Sequence, residues 1–308
     1  MKKTISVSAI IQQNRSRRKR RLDQMIPVVL FLAALISVLT TVGIILTLIF
    51  DAVQFFRTVP FREFFGSTKL APLSPEPSFG VLPLLNGTIL TSLIAMGTAI
   101  PVGLTAAIYL SEYASERVRT LVKPIMELLA GIPTIVYGFF AYSFVTPLLS
   151  EIIPGLGAKN ALSPGIVMGL MIIPMVASLS EDAMSAVPNS LRSGALALGS
   201  TRLETTWKVI LPAARSGIIA SFVLAASRAI GETMIVTIAG GSSKTFTFDI
   251  TQSMQTMTAY IVEFTSGDAG SGTVGYYSLY AVGLTLFVFT LLMNLSAQWI
   301  SRTFREGY

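Results

Sequence analysis

Apolar residues gather along the chain in six long runs, separated by shorter polar or charged segments. A helix that crosses the hydrocarbon layer needs roughly 20 predominantly apolar residues. The pattern predicts six such spans, at about 26–50, 86–110, 125–149, 163–180, 214–240 and 276–300. Pro101, Pro133 and Pro174 fall inside the second, third and fourth spans. Each removes a helix hydrogen bond and predicts a kink that neighbouring helices can accommodate. The fold class is all-α, a polytopic membrane protein with six transmembrane helices. Composition agrees: 52% of residues are apolar and 13% charged, with a mean hydropathy of +0.67, against about 25% charged in an average soluble domain.

The segments between spans carry their own patterns. Residues 111–124, SEYASERVRTLVKP, mix both signs of charge and predict a short surface helix ending at Lys123-Pro124. The segment at about 51–85 contains Pro72, Pro75, Pro77 and Pro83, which predicts an extended, semi-rigid loop. Within about 241–275, Met254, Met257, Ile261 and Phe264 recur at helical spacing. They predict a short amphipathic helix lying on the membrane face or dipping into it.

Residues 187–212 predict two short helices. Val187-Pro188-Asn189-Ser190 supplies a start, with Asn189 or Ser190 as cap. Leu191, Ala195 and Leu198 give one apolar face, and Gly199 stops the helix in the left-handed region. A second helix over Thr201–Ile210 places Leu203, Trp207 and Ile210 on one side and ends at Pro212. Such a knob can seat in a partner's cleft and carry its movement into the spans, or it can simply anchor the loop at the interface.

Charge sets the orientation. Seventeen Lys and Arg fall on the side of the N-terminus, eight of them before the first span. Five fall on the other side: Arg57, Arg62, Lys69, Lys159 and Lys244. This positive-inside asymmetry predicts a multi-pass plasma (inner) membrane protein with both termini cytoplasmic. Residues 1–25 form a basic cytoplasmic N-terminus and 26–308 a six-span domain. The run RSRRKRR directly precedes a 25-residue apolar span, so it reads as a topology determinant facing membrane lipid, with no nucleic-acid partner. That span is too long for a signal-peptide core and lacks a cleavage site after it, which predicts a retained anchor.

The chain has no Cys and no His, which removes thiol chemistry, most zinc sites and His-dependent acid–base catalysis. No cluster of Asp, Lys or other reactive groups replaces them, so no catalytic residue, metal or cofactor is predicted. The stretch GGSSKT at 240–245 is not a phosphate-cradling P-loop, because Ser243 rather than Gly precedes Lys244 and a membrane helix comes before it. Arg228 and Glu232 lie inside the fifth span, four residues apart and so on one helix face. Arg228 falls about 18 Å along the span, near mid-membrane, where a charge costs roughly 2.5–3.5 kcal/mol. The pair is either a structural lock or a place where Arg228 offers planar donors to a passing anion while Glu232 limits how tightly it is held. Ser227, Thr233 and Thr237 either line the path or make helix–helix contacts, the latter being the more common role of Ser and Thr in spans, and Glu127, Glu181 and Asp182 read as solvated charges at span ends.

Gly199, a gap of nine residues, then Val209, Ile210, Leu211 and Pro212 resembles the cytoplasmic coupling loop of binding-protein-dependent ABC transporter permeases. That loop has the pattern E-A-A, three residues, G, nine residues, I-x-L-P. Ala195 matches its second Ala; Ser193 and Gly194 replace the Glu and first Ala, and Val209 replaces the Ile. Residues 87–140, 178–202 (SLSEDAMSAVPNSLRSGALALGSTR) and 227–236 (SRAIGETMIV) are similar to phosphate ABC transporter permeases, most of all the PstC-type subunit. The resemblance covers roughly 80–300. It implies the type I ABC importer permease fold, a heterodimer with a PstA-type permease, an ABC ATPase dimer that hydrolyses the ATP, and an extracytoplasmic phosphate-binding protein. It also implies that Arg228 and Glu232 line the substrate pathway, and that Ser193, Gly194, Ala195, Gly199, Val209, Leu211 and Pro212 couple to the ATPase. A permease for sulfate, molybdate or tungstate shares the coupling loop, and a passive anion channel would share the spans without it.

Overall fold

The structure is a computed structural model that describes residues 17–303 apart from 269 and 271; the basic stretch over 1–16 lies outside the described residues. The chain divides into two units after Phe50. Helix α1, Arg17–Thr58, begins in the first. Its apolar side chains from Met25 to Phe50 are mostly exposed, as a face turned to lipid must be.

In the second unit, a short helix α2 (Phe61–Gly66) and a two-stranded antiparallel ribbon, β1 (Leu70–Ala71) and β2 (Ser78–Phe79), follow the end of α1. The expected extended loop therefore folds. Phe55, Phe64 and Phe79 pack edge to face with centroids 5.3–5.4 Å apart, and that aromatic burial outweighs the prolines.

Helix α3, Leu82–Ile108, runs into a π turn at Tyr109–Tyr113. The predicted third span is corrected: α4 (Glu116–Gly131) and α5 (Thr134–Phe140) are separate helices. Pro133 holds Ile132 in an extended conformation and breaks the chain there instead of kinking it. Helix α4 continues through Pro124 rather than ending at it, since one lost hydrogen bond bends a helix without stopping good helix formers. The membrane-length run is instead Thr134–Ile152, made of α5, a π turn and α6 (Thr146–Ile152).

Helix α7 spans Leu162–Ser185, and the 187–212 loop supplies α8 (Asn189–Ala197) and α9 (Arg202–Thr205). A π turn at Thr206–Ile210 joins α9 to α10, Leu211–Gly231. Helix α11 (Met234–Ala239), α12 (Met257–Glu263) and α13 (Val274–Thr303) complete the described helices. Six of these runs are long and apolar enough to cross a membrane.

The centre of the bundle is α3 against α7, with α10 beside them. Close approach there depends on a missing side chain: a Cβ on Gly169 would lie 2.6 Å from the Thr98 Cβ and 2.8 Å from the Ala95 carbonyl oxygen. At the end of the unit opposite the 187–212 loop, the segment after α11 folds inward. Met254, Met257, Tyr260 and Phe264 are buried there. The expected amphipathic helix exists over Met257–Glu263, capped by Thr256; its first four residues are buried and the rest half-buried, so it sinks into the unit rather than lying on a surface.

Candidate translocation and coupling sites

The 187–212 loop is held by one arginine that sequence patterning did not single out. Arg192, on the first turn of α8, donates to the carbonyls of Met184 at 2.7 Å and Val187 at 3.0 Å. It also reaches Asn189 Oδ1 at 2.9 Å and Glu112 Oε1 at 3.1 Å. The freed carbonyls at the end of α7 and the π turn of α3 are thereby tied to α8 through one planar fork. Neither Asn189 nor Ser190 caps α8; Pro188 occupies the cap position and Asn189 serves Arg192 instead.

Gly199 behaves as its position predicts. Its φ is +88°, its N–H donates to Leu196, and Ser200 N–H donates back to Ala195, closing the helix in a Schellman turn. Thr201 and Glu204 then form a reciprocal capping box. Pro212 does not end the second helix. The π turn delivers Leu211 N–H to Thr206 and Pro212 follows at the start of α10, where a missing N–H is tolerated. Residues 202–231 are thus one continuous helical run.

The predicted apolar face of α8 divides. Leu191 packs inward beside Val187 and Ile210, whereas Leu198 is 89% exposed. Leu196, Leu203 and Trp207 are also exposed, as are Ser193, Gly194, Gly199 and Pro212. Ala195, Val209 and Leu211 are half-buried.

Arg228 and Glu232 do not share a helix face. Helix α10 stops at Gly231, and Glu232 is extended with ψ 135°. Its Oε1 accepts from the N–H of Met234 at 3.1 Å and of Ile235 at 3.4 Å, placing a carboxylate on the positive end of α11. Satisfying those orphan donors competes with continuing the helix, which accounts for the break. The Glu232 carbonyl accepts from Thr258 Oγ1 at 2.7 Å, so α12 holds the same break from the other side. Ser227, bonded to Asn294 on α13, makes the predicted helix–helix contact, whereas Thr237 donates back to the Thr233 carbonyl within its own segment.

Arg228 is exposed on the wall of a cavity of about 290 Å³. Lys123, Glu127, Met171, Pro174 and Ser178 line it with Arg228, bringing α4, α7 and α10 together. Among the described residues no carboxylate forms an ion pair with Arg228. Glu181, expected to be solvated, is 2% exposed. Lys123 Nζ lies 2.9 Å from Glu181 Oε2, and Arg119 Nε lies 3.7 Å from Oε1. Arg119 is itself fixed by the carbonyls of Leu110, at 2.7 Å, and Ser111, at 3.2 Å. The correction has a structural cause: α4 lies against α7, a packing that spacing along the chain does not reveal.

The family described as binding-protein-dependent transport system inner membrane component matches residues 99–306. The chain belongs to this family. It is therefore the membrane permease of an ABC importer, and hydrolysis of ATP falls to a partner ATPase. A probable ABC transporter permease protein, YqgH, of Bacillus subtilis (strain 168) is 32% identical over 93% of both chains. The phosphate transport system permease protein PstC of Xylella fastidiosa (strain Temecula1) is 35% identical over 77% of both. Among solved structures, a bacterial alginate ABC transporter in complex with its alginate-bound periplasmic protein aligns with a TM-score of 0.65 at 16% identity. That alignment covers 96% of this chain and all of the other. An inward-facing MetNI methionine ABC transporter aligns at 0.56 and 16% identity, over 74% and 95%. These likenesses give the permease its fold.

Proposed function

We propose that this permease is the PstC-type subunit of a phosphate importer, paired with a PstA-type permease, driven by an ABC ATPase dimer and fed by an extracytoplasmic phosphate-binding protein. The observation that carries the reading is Arg228. A guanidinium that forms no carboxylate ion pair among the described residues, facing a cavity in an apolar helix bundle, suits an oxyanion in transit. Relatives named PstC, at up to 35% identity, support phosphate over other oxyanions. Glu232 shapes the pathway indirectly, by holding the break between α10 and α11 just beyond Arg228.

The asymmetry of Lys and Arg puts both termini, the basic residues 1–25 and the 187–212 loop in the cytoplasm. There the exposed Leu198, Leu203 and Trp207 form the face that seats in the ATPase, on a loop shaped by Ser193, Gly194, Ala195, Gly199, Val209, Leu211 and Pro212. The test is ATP-dependent uptake of labelled phosphate into proteoliposomes holding the full complex, with sulfate as competitor. Uptake that needs ATP and ignores sulfate is expected. Arg228→Ala should abolish it and Arg228→Lys should reduce it sharply, because an ammonium lacks the planar fork. Wild-type transport by both variants would sink the assignment of Arg228; uptake blocked by sulfate would move the cargo to another oxyanion.

A further inference from the structure

We propose that Lys123 is a second anion-binding group of the passage, and that buried Glu181 occupies it as an internal stand-in for the transported anion between turnovers. The inference rests on the reading of an oxyanion cargo above. One guanidinium does not balance a dianion, and the cavity wall that carries Arg228 carries one other cation, Lys123. Side chains on a helix lean toward its start. Arg228, late in α10, therefore leans back toward the 187–212 end, where Lys123 lies.

Two features make the Lys123–Glu181 pair exchangeable. Glu181 has two cations within 4.0 Å, so its carboxylate keeps Arg119 if Lys123 swings away. Arg119 is pinned by the Leu110 and Ser111 carbonyls and cannot follow. Lys123, by contrast, has Glu181 as its one ion pair among the described residues, carries its charge on a flexible four-carbon stem, and is partly exposed to the cavity. An entering phosphate offers Lys123 the same carboxylate-like oxygens and adds the pairing with Arg228. When the anion leaves, Glu181 takes Lys123 back. Glu127, on the same wall, opposes retention and favours release toward the 187–212 end.

The test measures the chemical reactivity of Lys123 in the assembled complex. An amine-acylating reagent is applied at constant ionic strength with rising phosphate, chloride serving as the balancing anion, and Lys123 labelling is read by peptide mass spectrometry. Phosphate should slow labelling in the wild type. E181Q should speed labelling without phosphate and lower the half-protecting phosphate concentration about tenfold, since the competing carboxylate is gone. R228A should raise it about tenfold through loss of the second cation. E181D keeps the charge and should protect like the wild type. Should E181Q fail to assemble, the wild type against R228A decides the matter. Labelling that ignores phosphate, or protection untouched by E181Q and R228A alike, overturns the proposal. Wild-type uptake of phosphate, measured separately, reports on the cargo itself, so the two failures are distinguishable.

Discussion

Replacing Arg192 with alanine should unfasten α8 from the bundle while leaving its exposed surface intact. The wild-type guanidinium makes four contacts of 3.1 Å or less, to Met184 O, Val187 O, Asn189 Oδ1 and Glu112 Oε1. The Arg192 and Glu112 side chains are 20% and 13% exposed, so the pair is only partly screened by water. The Asn189 contact is exposed and counts for little. A charge-assisted bond to a part-buried carbonyl is worth about 1.5 kcal/mol after exchange with water. Two of them give about 3 kcal/mol, to which the partly screened ion pair adds little, or roughly a hundredfold in the docking equilibrium of α8. Hydrogen exchange over 190–198 should accelerate by about that factor in the assembled complex. Phosphate delivered per ATP hydrolysed should fall, because a loosely tied helix moves without pulling α3 and α7. Arg192→Lys should recover only part of the loss, since one ammonium cannot serve carbonyls and carboxylate in a plane. Unchanged exchange in Arg192→Ala would refute the reasoning, whatever happened to transport.

Gly199→Val places a branched residue at φ +88°, which costs at least about 1–2 kcal/mol; ATPase binding to the permease should weaken, while Gly199→Asn should bind nearly as the wild type does. Gly169→Leu drives side-chain atoms into Thr98 and the Ala95 carbonyl, and should cost about 1–3 kcal/mol or more, read as a lower Tm of the complex. Asp249 accepts from Thr251 Oγ1 at 2.6 Å and Thr251 N–H at 3.0 Å, which hold its carboxyl below the usual Asp range. Its turn should therefore stay formed as pH falls through the ordinary Asp range and open only below it, while Asp249→Ala, which removes the acceptor, should expose the Thr251 amide to exchange already at neutral pH and Asp249→Asn, which keeps an Oδ1, should not.

Much of the 187–212 loop was legible because its determinants are local. A Gly in the left-handed region stops a helix wherever it stands, and Thr201 with Glu204 three residues on caps one. The spans were legible for a similar reason, since bilayer thickness imposes length and polarity on each run separately. What sequence spacing misplaced depends on groups brought in from elsewhere. The four-residue interval from Arg228 to Glu232 promised a shared face, but Glu232 is taken by the N–H groups of α11 and by Thr258, which lies in a distant segment. Glu181 looked solvated until α4 lay against α7. Pro133 marked an interruption correctly, yet the Pro code alone does not distinguish a kink from a break; the charged α4 on one side, which cannot enter the membrane as a span, decides for the break.

The continuity of residues 202–231 gives these separate pieces a mechanical relation. A helical run of that length is about 45 Å long, with the capping box of Thr201 at one end and Gly231 at the other. Between them it passes Ile210 and Ala214, packed under the 187–212 loop, and reaches Arg228 three residues from its end. The π turn at 206–210 and Pro212 allow bending near the loop, but Leu211–Gly231 is uninterrupted α-helix and carries a tilt at its loop end to Arg228. It is not delivered further, because the helix stops at Gly231 and α11 begins anew under the Glu232 carboxylate, with the Glu232 carbonyl held by Thr258 on α12. Under the proposed function, the break is what lets one half of the fifth span follow the ATPase while the other half stays with the opposite end of the bundle. Arg228 sits on the moving side of that boundary, and Lys123 is joined to α7 through Glu181. Because Arg192 also ties α7 to the loop, the two cations move with it together, on the near side of a break that separates them from α11 and α12.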